Sequence, residues 1–178
     1  MWGLVGESVK ANGTIANIET LMKTAKSNGY QIFISTYYYF PTDHSWQFGG
    51  TVENMMHEVK MFDRTGTLDL DGFSGSGADW LEQYKPLIED GNTVIASPHK
   101  LYGPENNDLV LQLRKCKIGS VILGGMSANL CVEAHLRELL EQGFEVAIVK
   151  DATVGAQHPE LGDGYQSELT NFGFITNA

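Results

Sequence analysis

The spacing of apolar residues changes period several times along this chain, and each change marks an element. Ile15, Ile18, Leu21, Met22 and Ala25 recur every three or four positions, the pattern of one helix face, and Asn28-Gly29 stops it. Gln31 to Tyr37 is β-branched and aromatic, with Ile32, Phe33 and Ile34 at its centre, and predicts a strand. From about Phe40 to Gly77 the pattern breaks into Gly, Asp, Thr and Ser, and only Val52, Met55, Met56 and Val59 suggest a short helix. Trp80 to Ile88 starts as a helix and breaks near Pro86. Thr93 to Ala96 is the next strand, and Pro104 to Lys115 the next helix, with Leu109, Val110 and Leu113 inward. Val121 to Leu123, a helix carrying Val132, Leu136, Leu139 and Leu140, and Val146 to Val149 form a β-α-β unit. Gly164 to Asn171 reads as helix, and Phe172 to Thr176 as a last strand.

Short apolar strands separated by amphipathic helices predict an α/β fold, a Rossmann-like doubly wound parallel sheet with helices on both faces. One feature departs from that class. The order begins with a helix, where such domains begin with a strand, and Met1 to Val5 is too short and glycine-interrupted to serve. The first, central strand is therefore expected to be missing from this chain. Its 178 residues suit one domain, residues 1–178. Hydrophobic residues make up 42% and charged residues 19%, the balance of a globular protein. A net charge of −10 argues against nucleic acid or an anionic membrane as partner. Two cysteines cannot build a disulfide framework, no signal peptide opens the chain, and no stretch spans a bilayer, so a reducing, cytoplasmic setting is expected.

The chemistry centres on Gly124-Gly125-Met126-Ser127-Ala128-Asn129-Leu130-Cys131-Val132-Glu133. Cys131 sits where a strand turns into a helix. Unpaired amides and the positive end of the helix dipole favour a thiolate there, against the alternative of a small buried core cysteine. Cys116, between Lys115 and Lys117 at a helix end, is the less reactive thiol on this basis. Lys100 follows a strand, at the sheet edge where open α/β folds bind ligands. Gly72-Phe73-Ser74-Gly75-Ser76-Gly77 lacks the strand–turn–helix context of a dinucleotide site and reads as a loop. The Tyr37-Tyr38-Tyr39-Phe40 run either lines a pocket or packs. Glu133 and Arg137 are spaced as an exposed helix pair.

The Cys131 segment, followed by Gly143-Phe144-Glu145-Val146 and Asp151-Ala152, resembles the isochorismatase-like cysteine hydrolases, which include nicotinamidases and N-carbamoylsarcosine amidases. Ser97-Pro98-His99-Lys100 is similar to that family's lysine segment. The resemblance implies catalytic roles for Cys131 as nucleophile and Lys100 as its charged partner. It also implies an oxyanion hole from the backbone amides of Ser127 and Cys131, and a cis peptide between Met126 and Ser127. The family's third residue, an aspartate at the end of its first strand, has no match here; Asp108 and Asp151 lie in the wrong parts of the motif. Nicotinamidases carry an Asp-x-His metal cluster. Here His44, His57 and His99 are scattered with no metal-type spacing, so no metal and no other cofactor is expected.

The expected function is that of an amidase-type cysteine hydrolase, cleaving a non-peptide carbon–nitrogen bond of a small molecule through a Cys131 thioester. The alternative is a catalytically impaired or non-enzymatic binding or oligomer-forming member of the same fold that lacks the aspartate. The resemblance also implies a homo-oligomer.

Overall fold

A computed structural model of the chain describes residues 2–47, 49–61, 63 and 73–176. Two helices open it, α1 (Trp2–Asn12) and α2 (Thr14–Ser27). They are separated by Gly13 at φ +63°, a left-handed conformation that glycine adopts at no steric cost. Helix α1 is absent from the pattern-based expectation because Gly3 and Gly6 dilute its apolar face, yet Val5 and Val9 bury against Val154.

The strands pair in parallel. Strand β1 (Phe33–Tyr37) leads through a 3₁₀ turn (Pro41–Ser45), α3 (Thr51–Glu58) and the one-turn α4 (Lys85–Ile88) to β2 (Val94–His99), its neighbour. A second 3₁₀ turn (Pro104–Asn106) and α5 (Leu109–Lys115) lead to β3 (Ser120–Met126). A π turn (Ala128–Val132) and α6 (Glu133–Glu141) then carry the chain to β4 (Glu145–Val154), the neighbour of β3. The short antiparallel pair β5 (Gln157–His158) and β6 (Gly162–Asp163) precedes α7 (Gly164–Thr176). Each helix between parallel partners is the crossover that a parallel pair requires. Among the described residues no further strand hydrogen-bonds the β1–β2 pair to the β3–β4 pair.

Helix α6 unites the two pairs by side-chain packing. Leu136 faces Ile148, Tyr165 and Phe172, while Leu139 joins Ala96, Leu109, Leu113 and Phe144. Val132, Leu136 and Leu139 therefore form the inward stripe that their spacing predicts. On the opposite face Ile95 and Ile122 are 46% and 63% exposed, an open surface unusual for parallel strands, which are normally covered on both sides.

Three expectations are corrected. Trp80 to Ile88 does not start as a helix that breaks near Pro86; residues 80–84 are non-helical and α4 begins only at Lys85, with Pro86 in its first turn, where a missing amide costs nothing. Phe172 to Thr176 is no strand. It continues α7, because Tyr165, Leu169, Phe172 and Ile175 share a helical face on the same cluster. The expected helix from Pro104 is divided, because Asn107 is extended and Asp108 turns its carboxylate to the Ser97 amide and hydroxyl, so α5 begins only at Leu109. No helix among the described residues is long and apolar enough to cross a membrane. Part of the Gly72–Gly77 loop lies outside the described residues.

Candidate functional site

Strand β3 ends on Gly124-Gly125-Met126. Gly125 has φ +135°, open only to glycine, and the Met126–Ser127 peptide is cis. The chain then winds into the π turn, where the Val132 amide donates to the Ser127 carbonyl at 3.1 Å, across five residues instead of four. Such a bulge re-aims the side chains within it, and Cys131 is the fourth of its five residues. Ser127 is buried and pins the turn: its hydroxyl donates to Asn129 Oδ1 at 2.9 Å and accepts the Ala156 amide at 3.1 Å. Asn129 needs the missing side chain of Gly164, where a Cβ would lie 2.5 Å from its amide nitrogen.

Cys131 Sγ donates to the Leu101 carbonyl at 3.1 Å. Burial pushes the thiol pKa up to about 11, against the downward pull of the Ser127 and Cys131 backbone amides. A helix-start position favours a thiolate, but here desolvation outweighs the oriented amides, and the resting group is a thiol. A carbonyl oxygen brought to this turn would find two donors.

Lys100 directly follows β2, one residue before the acceptor of the Cys131 thiol. Its ammonium pairs with the buried Asp43 carboxylate, donates to the Tyr38 carbonyl at 3.3 Å, and lies 4.6 Å from the Phe40 ring centroid. Among the described residues no hydrogen bond joins Lys100 to Cys131. Leu101 itself holds φ +65°, a strained conformation for a branched residue, at the point where the two segments meet.

Asp43 is the site residue that pattern reasoning missed. Its carboxylate also accepts the Phe40 amide at 2.9 Å. The signal lies in its position: Asp43 follows the C-terminal end of β1 as Lys100 follows that of β2, and ends of neighbouring parallel strands share one edge. Burial, against the Tyr37 hydrogen bond and aided by the charges of Glu53, Asp43 and Cys131, holds the Tyr39 phenol above its ordinary pKa. Asp108 and Asp151 lie elsewhere: Asp108 caps the Ser97 loop, and the Asp151 carbonyl accepts from Asn17. Tyr39 is fully buried and its hydroxyl bonds to that of Tyr37 at 2.7 Å, so the aromatic run packs at Tyr39 while Phe40 lies beside the lysine.

The histidines, scattered in sequence, are partly gathered in space. His44, His57 and Asp63 offer ligand atoms all within 4.8 Å of one another. Both ring nitrogens of His57 are buried without a hydrogen-bond partner, and His44 Nε2 lies 3.0 Å from Asp63 Oδ1. Two imidazoles and a carboxylate suit a borderline ion such as zinc, and the orphaned His57 nitrogens are what a ligand would satisfy. His44 and His57 line one side of a cleft of about 260 Å³ that also reaches Asp43, Trp46 and Glu53. His99 is not part of this group; it is 2% exposed and stacks on Tyr37. Cys116 is exposed at the end of α5, and Glu133 pairs with Arg137 at 2.6 Å.

The family model for the Isochorismatase domain matches residues 2–172. An uncharacterized isochorismatase family protein, YwoC of Bacillus subtilis, is 32% identical over 84 residues, 44% of this chain and 43% of the relative. The match thus spans less than half of that relative's length. Among solved structures, a cysteine hydrolase from Pseudomonas syringae superposes with a TM-score of 0.73 at 16% identity, covering 92% of this chain and 72% of the other. The nicotinamidase PncA of Bacillus subtilis gives 0.67 at 19% identity, with 93% and 82% covered. N-carbamoylsarcosine amidase from Thermoplasma acidophilum gives 0.62 at 15% identity, with 89% and 77% covered. At these identities the likeness is one of fold.

Proposed function

From the premise that the chain belongs to the isochorismatase family, we propose that it is a cysteine hydrolase of a small amide, with Cys131 as its nucleophile. The observation that carries this is the π turn after β3, which sets the Cys131 thiol against the Leu101 carbonyl, the residue next to Lys100. Structural neighbours that are by name a nicotinamidase and an N-carbamoylsarcosine amidase support an amide as the substrate class.

The chemistry follows from the geometry. The substrate carbonyl oxygen takes the two amides of the turn, which stabilise the negative charge that develops there. Sulfur attacks the carbonyl carbon, the carbon–nitrogen bond breaks, and the nitrogen leaves as amine with the proton given up by the thiol. Water then cleaves the thioester, releasing the carboxylic acid and restoring the thiol. Because the resting thiol is neutral, its proton must move as the sulfur attacks. The Lys100–Asp43 pair, one residue from the present thiol acceptor, is the ionisable group placed to assist. His44, His57 and Asp63 would hold a metal ion beside this cleft, where it would act as a Lewis acid on a bound polar atom.

One observation favours a second reading. Lys100 is committed to Asp43 and the Cys131 thiol is held protonated, which is the resting state of a member that binds without turning over.

Intact-mass spectrometry and ammonia release separate the two. Incubation with nicotinamide, N-carbamoylsarcosine and simple primary amides is expected to give a trapped acyl adduct on Cys131 and free ammonia, both lost in Cys131→Ala. Retained binding of these amides with neither product would establish the second reading.

A further inference from the structure

Resting on the cysteine-hydrolase reading, we propose that His135 is a positioning residue that fixes the Cys131 turn of one strand pair against Ser35 of the other. His135 lies in the first turn of α6 and is 4% exposed. Its Nδ1 is 2.7 Å from the Cys131 carbonyl oxygen, and its Nε2 is 2.7 Å from the Ser35 hydroxyl on β1. A carbonyl can only accept, so Nδ1 carries a proton, and in the neutral ring Nε2 is then bare. The Ser35 hydroxyl must therefore donate to Nε2. Its oxygen in turn accepts from Asn107 Nδ2 at 3.0 Å, and Asn107 Oδ1 accepts the Leu109 amide at 3.0 Å. With the imidazole neutral, the form that burial favours against the opposing pull of the Cys131 and Tyr102 backbone and of Glu105, these bonds run in one direction, from Asn107 through Ser35 and His135 to the Cys131 carbonyl.

The chain matters because of what it joins. Ser35 and His135 are 100 residues apart, Ser35 on β1 and His135 on the helix that follows β3, and the β1–β2 and β3–β4 pairs share no strand-to-strand ladder among the described residues. Cys131 touches the β1–β2 side through its thiol, on Leu101, and is tied to it again through its carbonyl by way of His135 and Ser35. Two ties fix the sulfur in both position and direction, and a misplacement of an ångström in such a site costs about 10²-fold in rate. The His99 ring, 4.9 Å away and nearly perpendicular, fills the space beside His135 and leaves it one orientation. The charged neighbours are Glu105, which bears on His135, and Lys100, which bears on His99.

The test compares Ser35→Ala, His135→Asn and the double variant in the full chain. Asparagine at 135 retains a donor for the Cys131 carbonyl but is too short to reach Ser35. Cys131 alkylation by iodoacetamide is followed by peptide mapping, with the exposed Cys116 as gauge of labelling within each protein. A loosened turn frees the sulfur from Leu101, so Cys131 labelling should rise about fivefold or more in each single variant. In the amide assay kcat should fall by about the same factor with KM unchanged, and the double variant should be no worse than either single one. A histidine that merely fills the core would lower the melting temperature and leave labelling and kcat as they were; that result overturns the proposal. Should His135→Asn fail to fold, Ser35→Ala alone decides, since it removes one hydroxyl. A wild-type protein that releases no amine defeats the hydrolase reading, while the labelling comparison still tests the positioning role.

Discussion

The Cys131 turn and the Lys100 segment face the same region yet are built in opposite ways. The turn is local: ten consecutive residues supply the strand end, the glycine at φ +135°, the amides and the sulfur. The lysine side is assembled from afar, with Asp43 57 residues from the lysine it pairs with, and its rings come from the irregular stretch after β1. The turn holds a neutral group under tension between burial and oriented amides. The lysine side holds a charge that is already compensated. At rest the thiol is held by the Leu101 carbonyl and the cation by Asp43, and no hydrogen bond joins the two among the described residues.

The largest expected effect tests the neutral side. A thiol with a pKa of about 11 is about one part in a thousand thiolate at pH 8. Cys131 alkylation should therefore rise about tenfold per pH unit from pH 8 to 10 and level near 11, a span of about 10³, and the exposed Cys116 should label faster at pH 8. This reverses the order expected from the helix-start position alone. The same shift links to stability. The folded-state pKa lies above the ordinary thiol value of 9.0, so the stability tied to the thiol is present below about pH 9 and is lost as pH rises through 11. A labelling plateau already reached at pH 8 would mean that the amides, not burial, set the group.

The next effect falls on the charged side. Asp43→Asn leaves the Lys100 ammonium without its anion. Breaking a fully buried pair costs about 3–5 kcal/mol. Lys100 keeps 21% of its side chain exposed, so water screens part of this, and a loss of about 2 kcal/mol is expected in urea unfolding. Lys100→Met in the Asp43→Asn background should recover part of it. Additive losses would show that the two groups do not act as a pair.

This contrast also explains what could be read from the sequence. The β-α-β unit around Cys131 and its inward stripe Val132, Leu136 and Leu139 were legible, because a helix or strand face is a property of neighbouring residues. The continuation of α7 through Phe172 was not, since aromatic and β-branched residues carry strand propensity, and only packing on Tyr165 and Ile148 decides otherwise. Asp43 was passed over because nothing in Pro41-Thr42-Asp43-His44 announces a partner in β2. His44, His57 and Asp63 have no metal-like spacing and meet only through the fold of the loop. His135 was hidden inside a helix read for its leucines.

A third measurement asks whether the loop side is complete with protein atoms alone. Zinc added to the full chain should raise the melting temperature if His44, His57 and Asp63 bind it, with about 2.7 kcal/mol of stabilisation at a hundredfold excess over Kd. His57→Ala should abolish the rise, as its two buried nitrogens then no longer await a partner. An equal rise in that variant would assign the effect to other groups. The Cys131 turn, which has no such orphaned atoms among the described residues, should show no zinc dependence in its alkylation rate after the metal is removed.

The smallest effect divides the lysine side against itself. Lys100 Nζ lies 4.6 Å from the Phe40 ring centroid, and the Tyr39 and Trp46 rings stand farther off, at 5.7 and 5.8 Å. A cation over an aromatic face gains about 0.5–1 kcal/mol when exposed and about 2 when desolvated. Phe40→Leu keeps an apolar side chain and removes the ring's negative face, so a loss of about 1 kcal/mol is expected. If Asp43 is what holds the ammonium over the ring, the same change made in Asp43→Asn should cost less, because the freed lysine swings to water. If the rings hold it, the cost should grow, since they would then be its remaining partners. Denaturation midpoints of the four proteins in this cycle give the sign. No change on Phe40→Leu in either background would leave Lys100 held by Asp43 and the Tyr38 carbonyl, and the aromatic run as packing alone.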